Sequence, residues 1–93
     1  MTPDQFAQAL MGEGFEPAVT IAREPGGRLE EHTHPFEARA LILAGEIGIA
    51  VAGEELVYRA GDVFHLLAET PHTEWYGAEG VRYLVGRRDP AQS

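Results

Sequence analysis

His32 and His34 stand two positions apart in Glu31-His32-Thr33-His34-Pro35, and a third imidazole, His72, follows far along the chain. In an extended segment the side chains alternate faces, so residues two apart point the same way. Two imidazoles side by side on one face can reach a single metal ion, at roughly 2.0–2.1 Å for zinc. A lone histidine is ordinarily a hydrogen-bonded polar residue. The paired spacing is what turns these into candidate ligands. Two carboxylates stand close to them in sequence: Glu37, three residues past His34, and Glu74, two past His72 and so on its face. His65 is read as a core or pocket-lining residue that can also shuttle protons, since its unperturbed pKa of roughly 6.5 lies near neutrality. Arg39 is a candidate clamp for an anionic substrate, because a guanidinium holds a carboxylate by two hydrogen bonds. Its plainer reading is a carboxylate-paired surface arginine. No Ser-His-Asp set, phosphate loop or CxxC motif is present.

The elements that must position these residues are short strands. Thr2 to Met11 reads first as a helix, with Thr2 as N-cap, Pro3 at the first position and Asp4 at the positive end. Phe6, Ala9 and Leu10 share a face, expected to pack over one end of a barrel, and Gly12 and Gly14 close the helix. From residue 15 the pattern changes to strands broken by turns. Strands are expected over 18–24, 29–34, 37–43, 47–51, 55–59, 63–67, 72–76 and 81–86, and Arg87 to Ser93 as a polar, frayed tail. Gly26, Gly45, Gly53 and Gly61 read as turn residues. Eight short strands without alternating helices predict an all-β sandwich or barrel. The organisation is a helical segment over 1–14, a barrel domain over 15–86 and a tail over 87–93.

Length and charge narrow the function classes. A chain of 93 residues allows one domain, helped by pairing or a bound metal. Fifteen acidic residues against seven basic ones give a net charge of −8, which argues against nucleic acid and anionic membranes as partners. No apolar run approaches the ~20 residues of a membrane span. The first residues lack the basic and apolar regions of a signal peptide. With no cysteine there are neither disulfides nor thiolate ligands. A cytoplasmic location is the default expectation, and a homodimer is expected for a small barrel with open sheet edges.

Two stretches resemble the motifs of the cupin superfamily. Gly26, His32, His34 and Gly45 match the first, a Gly, five residues, His-x-His and a closing Gly. Gly61, Asp62, Pro71 and His72 match the second, with the histidine eleven positions past the glycine. The second motif's internal Pro and Gly and its closing Asn are here Leu67, Glu69 and Tyr76. The resemblance covers residues 18 to 86 and implies a cupin jelly-roll β-barrel carrying a short N-terminal helix. It also implies that His32, His34 and His72 hold a divalent ion: Fe, Mn, Ni, Cu or Zn. The family's glutamate falls four or five residues past the second histidine, where this chain has Ala38 and Arg39. Glu37 is the nearest substitute. On a continuous strand it would point away from the His32–His34 face, and Pro35 would have to break the alternation to bring it in. Glu74 is the second candidate, and water in the open positions the third.

The resemblance implies a small molecule bound in the barrel, with Phe36, Phe64, Trp75 and Tyr83 as core or rim residues that could stack on it. Three readings follow: a metal-dependent, dioxygenase-like oxidoreductase; a non-catalytic ligand-binding or sensory module; and a metal-free sugar-processing enzyme with a histidine base. Ligand type alone does not choose the metal, nor does fold choose between enzyme and binder.

Overall fold

The structure, a computed structural model, describes residues 1–90. The expected frayed tail falls partly on 91–93, outside the described residues. Helix α1 spans Pro3–Gly12. Its start is fixed by a reciprocal cap: the Gln5 N–H donates to the Thr2 hydroxyl at 3.1 Å, and the Thr2 N–H donates to the Gln5 side chain at 2.9 Å. Phe6 and Leu10 bury against Phe15 and Leu41, while Ala9 stays exposed.

Among the described residues six strands follow: β1 (Val19–Arg23), β2 (Arg28–His32), β3 (Glu37–Val51), β4 (Glu54–Arg59), β5 (Val63–Leu66) and β6 (His72–Arg88). The eight short strands expected become six because 37–43 and 47–51 are two halves of β3, and 72–76 and 81–86 two halves of β6. Gly45 and Gly80 bend these strands without ending them. Both take positive φ, and the β3–β6 register slips between Ile42 and Ala44 and again between Gly45 and Ile47. A Cβ on Gly45 would lie 2.1 Å from the Gly80 carbonyl oxygen, so the backbones meet where only glycine fits. Ala52 and Gly53, both at positive φ, make the two-residue turn that joins β3 to β4.

The long strands pair along most of their length and run through two antiparallel layers. β1 and β5 flank their one end, and β2 and β4 the other. The layers enclose a core that includes Ala40, Ile42, Ile47, Phe64, Tyr83 and Val85, which gives a jelly-roll barrel. Leu41, Leu43 and Leu84 alternate with those inward residues and point to the other face, where α1 lies. The helix therefore covers the outer face of one layer rather than the end of the barrel. Gly86 leaves the room: a Cβ there would sit 2.6 Å from Leu10 Cδ1. Among the described residues no helix is long and apolar enough to cross a membrane.

Candidate metal centre

His32 ends β2 directly across from His72, which begins β6. Glu74, two residues on, shares the face of His72, and His34 enters from the turn after β2. One ligand atom from each of His32, His34, His72 and Glu74 lies within 4.8 Å of all the others. The imidazole centroids are 4.3 Å apart for His32–His72 and 5.0 Å for the other two pairs. His72 and Glu74 are buried, with relative exposures of 1% and 7%.

Hydrogen bonds fix the rings. His32 Nδ1 lies 2.7 Å from the Glu30 carbonyl and His72 Nδ1 lies 2.8 Å from the Thr70 carbonyl. A carbonyl only accepts, so both Nδ1 atoms carry the proton and a neutral ring presents a bare Nε2 to the centre. Among the described residues, His32 Nε2 is buried with no hydrogen-bond partner. Glu74 Oε2 stands 3.5 Å from His32 Nε2 and 3.2 Å from His72 Nε2. Lone pairs thus converge on one point, an arrangement that a cation or an added proton must resolve. Glu74 Oε1 is already occupied, accepting the Tyr76 hydroxyl at 3.0 Å, so Oε2 is the oxygen left to the cluster. Burial, with Glu74 adding to it, pushes the Tyr76 phenol well above its ordinary pKa and keeps it a donor. Burial first, then the neighbouring His72 and His32, lowers the pKa of His34 and favours its neutral, ligating form. The His34 ring stacks on Phe36 at 4.9 Å with a 9° interplanar angle. Its backbone carbonyl accepts from the Glu69 N–H at 2.7 Å. Glu69 takes φ +63, a left-handed conformation that costs an L-residue free energy.

The three expected histidines come together, and Glu37 does not join them. Its carboxylate pairs with His65 and with Arg88, whose Nη2 lies 2.7 Å away. Strand parity explains this: Ala38 turns into the core, so Glu37 and Arg39 turn out. Arg39 is held by Glu13 at 2.8 Å and lies over the Phe15 ring, on the outer face and away from the cluster. His65 is likewise outward, between the buried Phe64 and Leu66. Trp75 covers Gly48, where a Cβ would meet its ring at 2.0 Å. Phe64 is core, and Tyr83 lines a cavity of about 70 Å³ beside the cluster, together with His34, Phe36 and Glu74. Arg23 and Arg87 also line that cavity. Sequence reasoning missed both. The signal was available in the alternation Val19-x-Ile21-x-Arg23 and Val81-x-Tyr83-x-Val85-x-Arg87, which puts each arginine on its strand's inward face.

Residues 19–85 match the family model of Cupin_2, the cupin domain. No curated protein matches the chain. Among solved structures, the chain is similar to the Cnp3 cupin domain of Schizosaccharomyces pombe, with a TM-score of 0.73, 17% identity, and 86% of this chain and 60% of that one covered. It is similar to a protein of unknown function from Rhizobium leguminosarum bv. viciae 3841, with a TM-score of 0.72, 17% identity and coverage of 76% and 67%. It is similar also to the DMSP lyase DddQ of Ruegeria pomeroyi DSS-3, with a TM-score of 0.70, 24% identity and coverage of 83% and 40%. At these identities the likeness is one of fold, and the chain spans about two thirds or less of each of these proteins.

Proposed function

This chain belongs to the cupin family, and on that premise we propose that it is a metal-dependent cupin holding a divalent ion with His32, His34, His72 and Glu74 and binding a small molecule beside it. The observation that carries this reading is the orphaned, buried Nε2 of His32 facing the carboxylate oxygen of Glu74. A protein interior rarely leaves such an atom without a partner. Glu74 stands in for the family's motif-one carboxylate. The two positions where that carboxylate falls hold Ala38, which is core, and Arg39, which points out. Glu74 reaches the same centre from β6.

A bound divalent ion would supply Lewis acidity at the open end of the cluster and, if redox-active, a site for oxygen chemistry. The chain's own residues do the rest. The Glu30 and Thr70 carbonyls orient His32 and His72. The Tyr76 hydroxyl fixes the Glu74 carboxylate. Phe36 holds the plane of His34 and closes one side of the cavity. With a redox-active ion the reading is a dioxygenase-like oxidoreductase, the three histidines and Glu74 holding the ion and the cavity taking the substrate. The non-catalytic module differs only in lacking turnover.

The test is elemental analysis of protein purified without an affinity tag, for wild type and for His72→Ala, Glu74→Gln and Glu37→Gln. Near-stoichiometric metal is expected in wild type and in Glu37→Gln, with loss in His72→Ala and weakened retention in Glu74→Gln. Metal that survives Glu74→Gln but not Glu37→Gln would refute the assignment of the carboxylate. Metal that never binds, even after adding Fe, Mn, Ni, Cu or Zn, would refute the centre. Oxygen uptake with candidate substrates then separates enzyme from binding module.

A further inference from the structure

The cavity beside the cluster reverses the charge of the chain around it. The protein carries a net charge of −8, and its seven basic residues are all arginine. Four of them, Arg28, Arg39, Arg59 and Arg88, have a glutamate oxygen within 4 Å. Among the described residues, Arg23, Arg82 and Arg87 have no carboxylate at that distance; Arg82 is exposed elsewhere, and Arg23 and Arg87 line the cavity. Arg23 lies against the Tyr83 phenol. Arg87 is set with its guanidinium over the Phe36 ring, 4.7 Å from the centroid, and Phe36 stacks in turn on His34. Guanidinium, phenyl ring and imidazole are thus in successive contact from Arg87 to the cluster. Glu74 is the one carboxylate in the cavity lining, and its oxygens are committed to Tyr76 and to the histidines. Two cationic forks therefore face a space of about 70 Å³, enough for several waters and so for a molecule of a few heavy atoms. A carboxylate is the small anion whose geometry a guanidinium matches with paired hydrogen bonds.

We infer that the ligand of this cavity is a small organic acid, its carboxylate held by Arg87 and Arg23 and its other end turned toward His34 and Glu74. This rests on the metal-centre reading for the second contact alone. The arginine contact stands without it.

The experiment uses lactate and lactamide, an acid and its uncharged counterpart, as probes. Each is titrated into wild type, Arg23→Gln, Arg87→Gln and Arg82→Gln at constant ionic strength, and binding is followed by amide shifts in two-dimensional NMR. Arg82 is exposed and outside the cavity, so its variant controls for the loss of one positive charge. Zinc-loaded and chelator-treated protein are run in parallel, and bound zinc is counted by elemental analysis. Wild type is expected to prefer lactate by about tenfold or more, Arg23→Gln and Arg87→Gln each to lose about tenfold for lactate, and Arg82→Gln to behave as wild type. Zinc content is expected to be unchanged in all three variants. Equal binding of lactate and lactamide, or equal losses in all three variants, would overturn the inference. If zinc never binds but the arginine-dependent preference persists, the metal reading fails and this one stands. If zinc binds and the preference is absent, the reverse holds.

Discussion

Replacing Gly45 by alanine tests the bend that brings the two halves of the barrel together. Two costs add at this position. Its φ of +73 is a left-handed conformation, which costs an L-residue roughly 1–2 kcal/mol. The new Cβ would stand 2.1 Å from the Gly80 oxygen, 2.9 Å from the Gly80 carbonyl carbon and 3.1 Å from the Val81 Cα. These contacts fall well inside the roughly 3.5–4.0 Å at which such atoms attract. All three are backbone atoms, so no rotamer change relieves them and β3 must part from β6. Overpacking of that kind costs about 1–3 kcal/mol, which brings the expected loss to about 4 kcal/mol. A domain of this size is stable by only about 5–15 kcal/mol. Gly53 supplies the control: its φ of +83 imposes the same left-handed cost, but nothing lies within 4 Å of a Cβ there. Thermal unfolding followed by circular dichroism should show Tm falling by roughly 15–30 °C for Gly45→Ala and by about 5–15 °C for Gly53→Ala. Equal shifts in the two variants would refute the close approach as the reason for glycine at the bend.

Three further outcomes are expected. Glu37 is held below its ordinary carboxylate pKa by His65 first and by Arg88; its pairing therefore stabilises the fold above about pH 4.5 and is lost as pH falls through the lower folded value. Urea midpoints of wild type should drop more steeply from pH 5 to pH 3 than those of Glu37→Gln, and parallel slopes would contradict the pairing. Tyr76→Phe removes the one hydroxyl that Glu74 accepts in a buried setting and should cost about 2 kcal/mol in chemical denaturation; a change under about 0.5 kcal/mol would mean that Glu74 finds another donor. Leu10→Ala should cost about 3 kcal/mol, and Gly86→Ala should be better tolerated in that background than in wild type, because the trimmed side chain vacates the space that the new methyl needs. Additive losses would place the contact elsewhere.

Much of the site was legible because its spacing is local. His32 and His34 are tied by their two-residue step, and the turn at Ala52 and Gly53 and the cap at Thr2 depend on near neighbours alone. What escaped was set by pairing across the sheet. Gly45 and Gly80 look like turn glycines in sequence, yet a strand continues through each because the partner strand bends with it. In the sequence, proximity to His34 favours Glu37 over Glu74, whereas parity along β3 turns it to the outer face. Arg39 stands out in the sequence by its place in the first motif, and Arg87 reads as tail because it stands in a polar end. The strand reaches Arg88, and the inward alternation reaches Arg87 with it.

The thin attachment of β2 has a consequence for chain entropy. That strand pairs with β6 alone, at three register positions with an irregularity between Leu29 and His32, so it is the strand freest to slip. His32 and His72 face each other across that weak seam, and they stand forty positions apart in the chain. Whatever ties the two imidazoles together closes a loop of that length, which for a covalent cross-link is worth about 4 kcal/mol against the unfolded chain. A ligand at the centre would thus act as a clasp on the register of an edge strand, and occupancy would be read out as order in residues 28–34 before any chemistry begins.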